Sequence, residues 1–126
     1  MTGATGKKKL ILVVEDDPDA LNLLYAILET LGYDYVGFSN GRDALANISG
    51  KPIDVAILDI MMPEMDGYEL MAEMRKLPEF ESTPVIMTTA KDQDSEILEG
   101  YKHGADYYIT KPYSSKQIEY GLKMFA

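Results

Sequence analysis

The amino-acid sequence predicts an α/β fold, a parallel β-sheet covered by helices on both faces. Three features carry that reading. The segments LILVV (10–14), IDVAIL (53–58) and PVIMT (84–88) are almost continuously apolar, without the alternation of a half-exposed strand, as suits strands buried on both faces. Between them run segments whose apolar residues recur at helical spacing. The joints are short and hold Asp, Asn, Gly and Pro, so strand and helix alternate as in βαβ units.

The first strand, Leu10 to Val14, stops at Glu15-Asp16-Asp17-Pro18. Asp17 followed by Pro18 reads as an N-cap and the first helical position. Leu21, Leu24, Leu28 and Leu31 then form one helical face, ended by Gly32. Tyr35 to Phe38 is a short second strand. Asn40-Gly41 opens a second helix with Ala44, Leu45 and Ile48 on one side, closed by Gly50-Lys51-Pro52. The third strand, Ile53 to Leu58, runs straight into Asp59, which it is expected to deliver out of the core. Leu70, Met71, Met74 and Leu77 mark a third helix stopping at Pro78. Pro84 to Thr88 is the fourth strand, and residues 94–103 a fourth helix, with Ile97, Leu98 and Tyr101, closed by Gly104. Tyr107 to Ile109 is the fifth strand, before Lys111-Pro112, and the last helix carries Ile118, Leu122 and Phe125.

With 126 residues, 46% of them hydrophobic, the chain is sized for one domain with its own core, residues 9–126, behind a flexible tail at 1–8. The net charge of −9 argues against direct nucleic-acid binding, which needs clustered Lys and Arg. There are no cysteines, hence no disulfides or thiol chemistry. No apolar run reaches the roughly 18 residues of a membrane span, and MTGATGKKK lacks the apolar region of a signal peptide. Gly3 to Lys7 is a poor phosphate loop, since no strand precedes it. The expectation is a soluble, cytoplasmic, acidic domain with no membrane partner.

In open parallel sheets, ligands bind beyond the carboxyl ends of the strands. Those ends carry Glu15, Asp16 and Asp17 after the first strand, Asp59 after the third, Thr88 and Thr89 at the fourth and Lys111 after the fifth. Clustered carboxylates repel one another unless a cation joins them. Hard oxygen ligands in a half-open site suit Mg²⁺. One carboxylate is then available as a nucleophile toward phosphorus. The Lys111 ammonium and the Thr89 hydroxyl are placed to stabilise phosphoryl oxygens. Thr89 is expected to face the crevice and Thr88 to face away, since neighbours on a strand point to opposite sides.

The segments LVVEDDP (12–18), ILDIMMPEMDG (57–67), PVIMTTA (84–90) and GADYYITKPY (104–113) resemble, in order and spacing, those of the receiver domain of bacterial response regulators. The resemblance covers about residues 8 to 126. It implies a flavodoxin-like (βα)5 fold with strand order 2-1-3-4-5. It makes Asp59 the phosphoacceptor, with Mg²⁺ held by Asp16, Asp59, the backbone carbonyl of Met61 and, through water, Glu15. Thr89 becomes the switch hydroxyl, Lys111 the phosphate partner and Tyr108 the aromatic that follows Thr89 on activation. The Lys111-Pro112 bond is expected to be cis. The implied donor is a histidine kinase or histidine phosphotransfer protein, and a downstream effector protein or domain reads the face made by the fourth helix, fifth strand and fifth helix. The only catalysis implied is Mg²⁺-dependent phosphorylation and dephosphorylation of the chain itself. The chain departs from the family pattern in its Glu-Asp pair, where Asp-Asp is common. Met61 and Lys91 stand where the family tunes hydrolysis. Tyr107 and Gly121 stand where winged-helix regulators place a dimerising ion pair, so that dimer is not expected.

Plainer roles fit the remaining residues. Asp17 is a helix cap, Asp66-Gly67 a turn and helix entry, and Met62 and Met65 are packing. His103 complements a helix end. Tyr107, Tyr108 and Tyr113 are either a partner surface or ordinary packing. Two other classes stand beside the phospho-switch. A phosphorylation-independent receiver-fold binding module typically loses the lysine or an acid. A haloacid-dehalogenase-type phosphatase has a second Asp where this chain has Met61. A flavin-binding flavodoxin is disfavoured because Glu15-Asp16-Asp17 would repel a phosphate.

Overall fold

Five parallel strands form one sheet in the order β2-β1-β3-β4-β5. They are β1 (Leu10–Val14), β2 (Asp34–Phe38), β3 (Ile53–Asp59), β4 (Val85–Thr89) and β5 (Tyr107–Thr110). The computed structural model describes residues 8–90 and 104–126. The predicted helix at 94–103, Lys91, His103 and the predicted tail except Lys8 lie outside the described residues.

Local chemistry sets the helix limits. Helix α1 (Pro18–Leu31) begins where Asp17 accepts the N–H of Asp19 and ends at Gly32, whose φ of 87° is the left-handed conformation that glycine tolerates. Helix α2 (Gly41–Asn47) is capped by Asn40, whose side chain accepts the N–H of Asp43. It ends at Asn47, with Ile48 as its buried C-cap still bonded to the Ala44 carbonyl and Gly50 following at a left-handed φ of 82°. Helix α3 (Gly67–Arg75) starts with a reciprocal capping box between Asp66 and Glu69. A 3-10 turn at Pro78–Phe80 follows. The C-terminal helix α4 (Ser115–Phe125) opens with the equivalent box between Ser114 and Gln117.

The sheet divides the core in two. Leu12, Val14, Ala56, Leu58, Val85 and Met87 face Ala44 of α2 and Leu70, Met71 and Met74 of α3. Ile11, Val13, Val55, Ile57 and Ile86 face Leu24 and Leu28 of α1 and Ile118 and Leu122 of α4. Successive strand residues therefore serve opposite layers, and both layers are apolar, which explains the unbroken runs. Each fully buried Leu or Ile contributes about 1.5–3 kcal/mol relative to exposure.

At the amino end of the sheet two carboxylates close open backbone donors. Asp54 Oδ2 accepts the N–H of Leu10, and Asp106 Oδ2 the N–H of Val85, both at 2.8 Å. The Asp106 N–H returns a bond to the Val85 carbonyl at 2.9 Å, and Arg75 lies 3.7 Å from the Asp106 carboxylate. Among the described residues, no helix is long and apolar enough to cross a membrane.

Candidate functional site

The opposite, carboxyl end of the sheet gathers the reactive side chains. Asp59 is the last residue of β3 and lies in register with Thr88 of β4. Its backbone is held from two directions. The Ile60 N–H bonds the Thr88 carbonyl, and the Gly67 N–H bonds the Ile60 carbonyl, each at 3.0 Å. Gly67 sits so close that a Cβ there would lie 2.5 Å from the Asp59 carbonyl oxygen. Glycine at the start of α3 is thus what lets this helix approach the end of β3.

Asp59 is not delivered out of the core as the sequence reading expected. Its side chain is 3% exposed and Glu15 is 1% exposed. What permits the burial is Lys111, from the loop after β5. Its ammonium lies 2.9 Å from Glu15 Oε1 and 3.3 Å from Asp59 Oδ1. The Met61 N–H donates to Asp59 Oδ1 at 3.3 Å, and the Asp17 N–H donates to Glu15 Oε2 at 3.2 Å. The Lys111-Pro112 bond is cis, as the resemblance implied.

These neighbours set the protonation of the acids. Burial, then the adjacent Glu15 charge, push the Asp59 carboxyl up to about 7, against the pull of Lys111. Burial also works to raise Glu15, but bonds from Tyr113, Lys111 and the Asp17 N–H outweigh it and hold Glu15 below the ordinary carboxylate range. Burial opposes the charge on Lys111, and its contacts with Glu15 and Asp59 more than restore it. Of the two buried acids, Asp59 is therefore the one that holds a proton near neutrality.

Carboxylate oxygens of Glu15, Asp16 and Asp59 all lie within 4.8 Å of one another. Asp16 is exposed while the other two are buried, so the cluster opens to solvent on one side. Such hard oxygen donors beside a water-accessible rim fit Mg²⁺, which keeps several waters when bound by one or two carboxylates.

Thr89, Tyr108 and Met61 are placed differently. The Thr89 hydroxyl donates to the Ala90 carbonyl at 3.4 Å rather than to the carboxylates. Tyr108 packs against the layer that contains α3, and its hydroxyl lies 3.1 Å from that of Tyr68. The Met61 side chain is 60% exposed at the rim. Thr88 does not face away from the site as expected. Being in register with Asp59, it shares its face, and its hydroxyl is 3.5 Å from that of Tyr113.

Tyr113 was the residue missed. Its ring is buried against the α1 and α4 layer, so it is no part of an exposed aromatic surface. Its hydroxyl donates to Glu15 Oε1 at 2.7 Å. The available sequence signal was the offset from Lys111, since a residue two positions on can return to the same side. Tyr107 instead packs beside Tyr120 and Phe125 of α4. A groove of about 380 Å³ runs alongside, lined by Asp17, Leu23, Lys111, Pro112 and Tyr113 among others.

A doubly wound parallel domain with an acidic cluster and a lysine at the carboxyl end of its sheet is the class that fold and site define. Residues 11–123 match the response regulator receiver domain, and the chain belongs to that family. It is 37% identical over 108 residues to the regulatory protein VanRc of Enterococcus gallinarum, covering 86% of this chain and 46% of that protein. The chain thus spans about half the length of the curated relatives it matches. Among solved structures, the chemotaxis protein CheY4 of Vibrio cholerae is similar with a TM-score of 0.89 and 27% identity, over 95% of this chain and all of that one (100%). The receiver domain of a sensor histidine kinase from Pseudomonas aeruginosa, which has a magnesium ion coordinated in its active-site cleft, gives 0.85 and 25%, over 94% and 98%.

Proposed function

We propose that this receiver domain is a phosphorylation switch in a two-component phosphorelay, with Asp59 as the acceptor of a phosphoryl group from a histidine kinase or a histidine phosphotransfer protein. The observation that carries this reading is the buried Asp59 carboxylate with Lys111 at 3.3 Å and the oxygens of Glu15 and Asp16 within 4.8 Å. The VanRc relative is named a regulatory protein, in keeping with such a role.

In the transfer, an Asp59 oxygen attacks phosphorus. The new O–P bond replaces the N–P bond of the phosphohistidine, whose electron pair leaves with the imidazole nitrogen. Asp16, Asp59 and the Met61 carbonyl, with Glu15 through water, are the residues that would hold Mg²⁺. When bound, Mg²⁺ neutralises charge on the transferring phosphoryl oxygens. Lys111 opposes the protonation of Asp59 that burial and Glu15 favour, and offers its ammonium to a phosphoryl oxygen. Glu15 holds Lys111 in place.

The product adds roughly 1.5 to 2 negative charges beside Lys111. Thr89, whose hydroxyl donates to the Ala90 carbonyl, turns toward the phosphoryl oxygens, and Tyr108 follows into the space it leaves. The face including β5 and α4 changes, and an effector reads it. Such a change biases a two-state element.

Incubation with Mg²⁺ and acetyl phosphate, read by intact mass, tests this. One added phosphoryl group is expected, absent in Asp59→Asn and absent in excess chelator. No addition from acetyl phosphate or from a phosphohistidine donor would overturn the reading.

A further inference from the structure

We infer that Tyr113 is a positioning residue, whose hydroxyl fixes the Glu15 carboxylate and through it places the Lys111 ammonium against Asp59. The inference rests on the reading of Asp59 as phosphoacceptor. Glu15 is 1% exposed, and its carboxylate takes its orientation from protein donors. Oε2 takes the Asp17 N–H, while Oε1 is shared between the Tyr113 hydroxyl at 2.7 Å and the Lys111 ammonium at 2.9 Å.

The three donors differ in stiffness. Lys111 carries its charge on a flexible stem, and the backbone donor at 3.2 Å is the longest of the three contacts. The Tyr113 ring is wedged in the α1 and α4 layer and turns about only two torsions, so its hydroxyl is the fixed point of the group. A phenol has one proton, and the shorter contact to a charged acceptor claims it. Thr88, at 3.5 Å, is left to face the phenol oxygen. The order of support is then Tyr113, Glu15, Lys111, Asp59. Lys111 lies nearer to Glu15 than to Asp59, so rotation of the Glu15 carboxylate carries the ammonium away from the acceptor.

Tyr113→Phe keeps the ring and removes the hydroxyl. Glu15→Asp shortens the acid by one methylene and withdraws it from the hydroxyl. The full chain and these variants, single and combined, are compared by two readouts. The first is the position of the Lys111 side-chain ¹⁵N and ¹³Cε NMR signals without Mg²⁺. The second is the rate of phosphoryl uptake from acetyl phosphate at saturating Mg²⁺. Tyr113→Phe is expected to move the Lys111 signals and slow uptake about tenfold, whereas in the Glu15→Asp background it changes uptake by less than about twofold and leaves the signals in place.

Lys111 signals unmoved by Tyr113→Phe, or equal effects in both backgrounds, would overturn the inference. If the wild-type chain takes up no phosphoryl group, the proposed function fails while the Lys111 signals still decide the role of Tyr113.

Discussion

At the scale of single residues, the burial of the Asp59 carboxyl can be tested directly. That carboxyl is pushed up to about 7, whereas in an unfolded chain it titrates near about 4. Between those values the folded protein keeps a proton that the unfolded chain releases. Raising the pH therefore favours unfolding across that window, and the loss is complete once Asp59 is ionised in both states. The lowered Glu15 acts in the opposite sense, but below its ordinary range and so outside the window from pH 5 to 8. In chelator, wild-type stability by urea titration should fall between pH 5 and 8 by up to about 3 kcal/mol. Asp59→Asn should remove most of that slope and be the more stable protein at pH 8. Equal slopes in the two proteins would mean that Asp59 ionises without strain.

At the scale of elements, the contact between the start of α3 and the end of β3 is the tightest joint near the site. Gly67→Ala would place a methyl 2.5 Å from the Asp59 carbonyl oxygen, against backbone that cannot swing away. A loss of about 1–3 kcal/mol in urea unfolding is expected, with slower phosphoryl uptake as β3 shifts. Unchanged stability would show that the joint is loose. The elements were legible where their signals are local. Asp17-Pro18, Asn40 and Asp66 with Glu69 mark the starts of α1, α2 and α3 through bonds spanning two or three residues. The exact end of α2 was not: Ile48 still bonds back to Ala44 as the C-cap, and no turn residue marks the helix as ending at Asn47. Site residues followed the same division. Asp59 and Lys111 stand out as charges at strand ends, but the burial of Asp59 depends on a lysine from another strand's loop. The Tyr113–Glu15 bond joins residues 98 positions apart, beyond any local pattern.

At the scale of the whole molecule, the acidic cluster and the Tyr68–Tyr108 pair occupy opposite faces of one sheet. Asp59, Thr88 and the Glu15–Tyr113 pair belong with the layer of α1 and α4, while Tyr108 belongs with the layer of α3. Thr88, in register with Asp59, lies on the face of Asp59, a placement set by the pairing of β4 with β3 that the local sequence does not carry. The carboxylate bonds at the amino end add a property of the sheet as a frame. The first amide of a strand ordinarily frays and exchanges its hydrogen quickly. Here the amides of Leu10 and Val85 are held by Asp54 and Asp106, and deuterium should enter them nearly as slowly as it enters mid-strand amides. Asp54→Ala should speed exchange at Leu10 and leave Val85 slow; equal, fast exchange at both in the wild type would refute it. Two of the five strands are thus pinned at the amino end of the sheet, opposite the rim that carries Asp59.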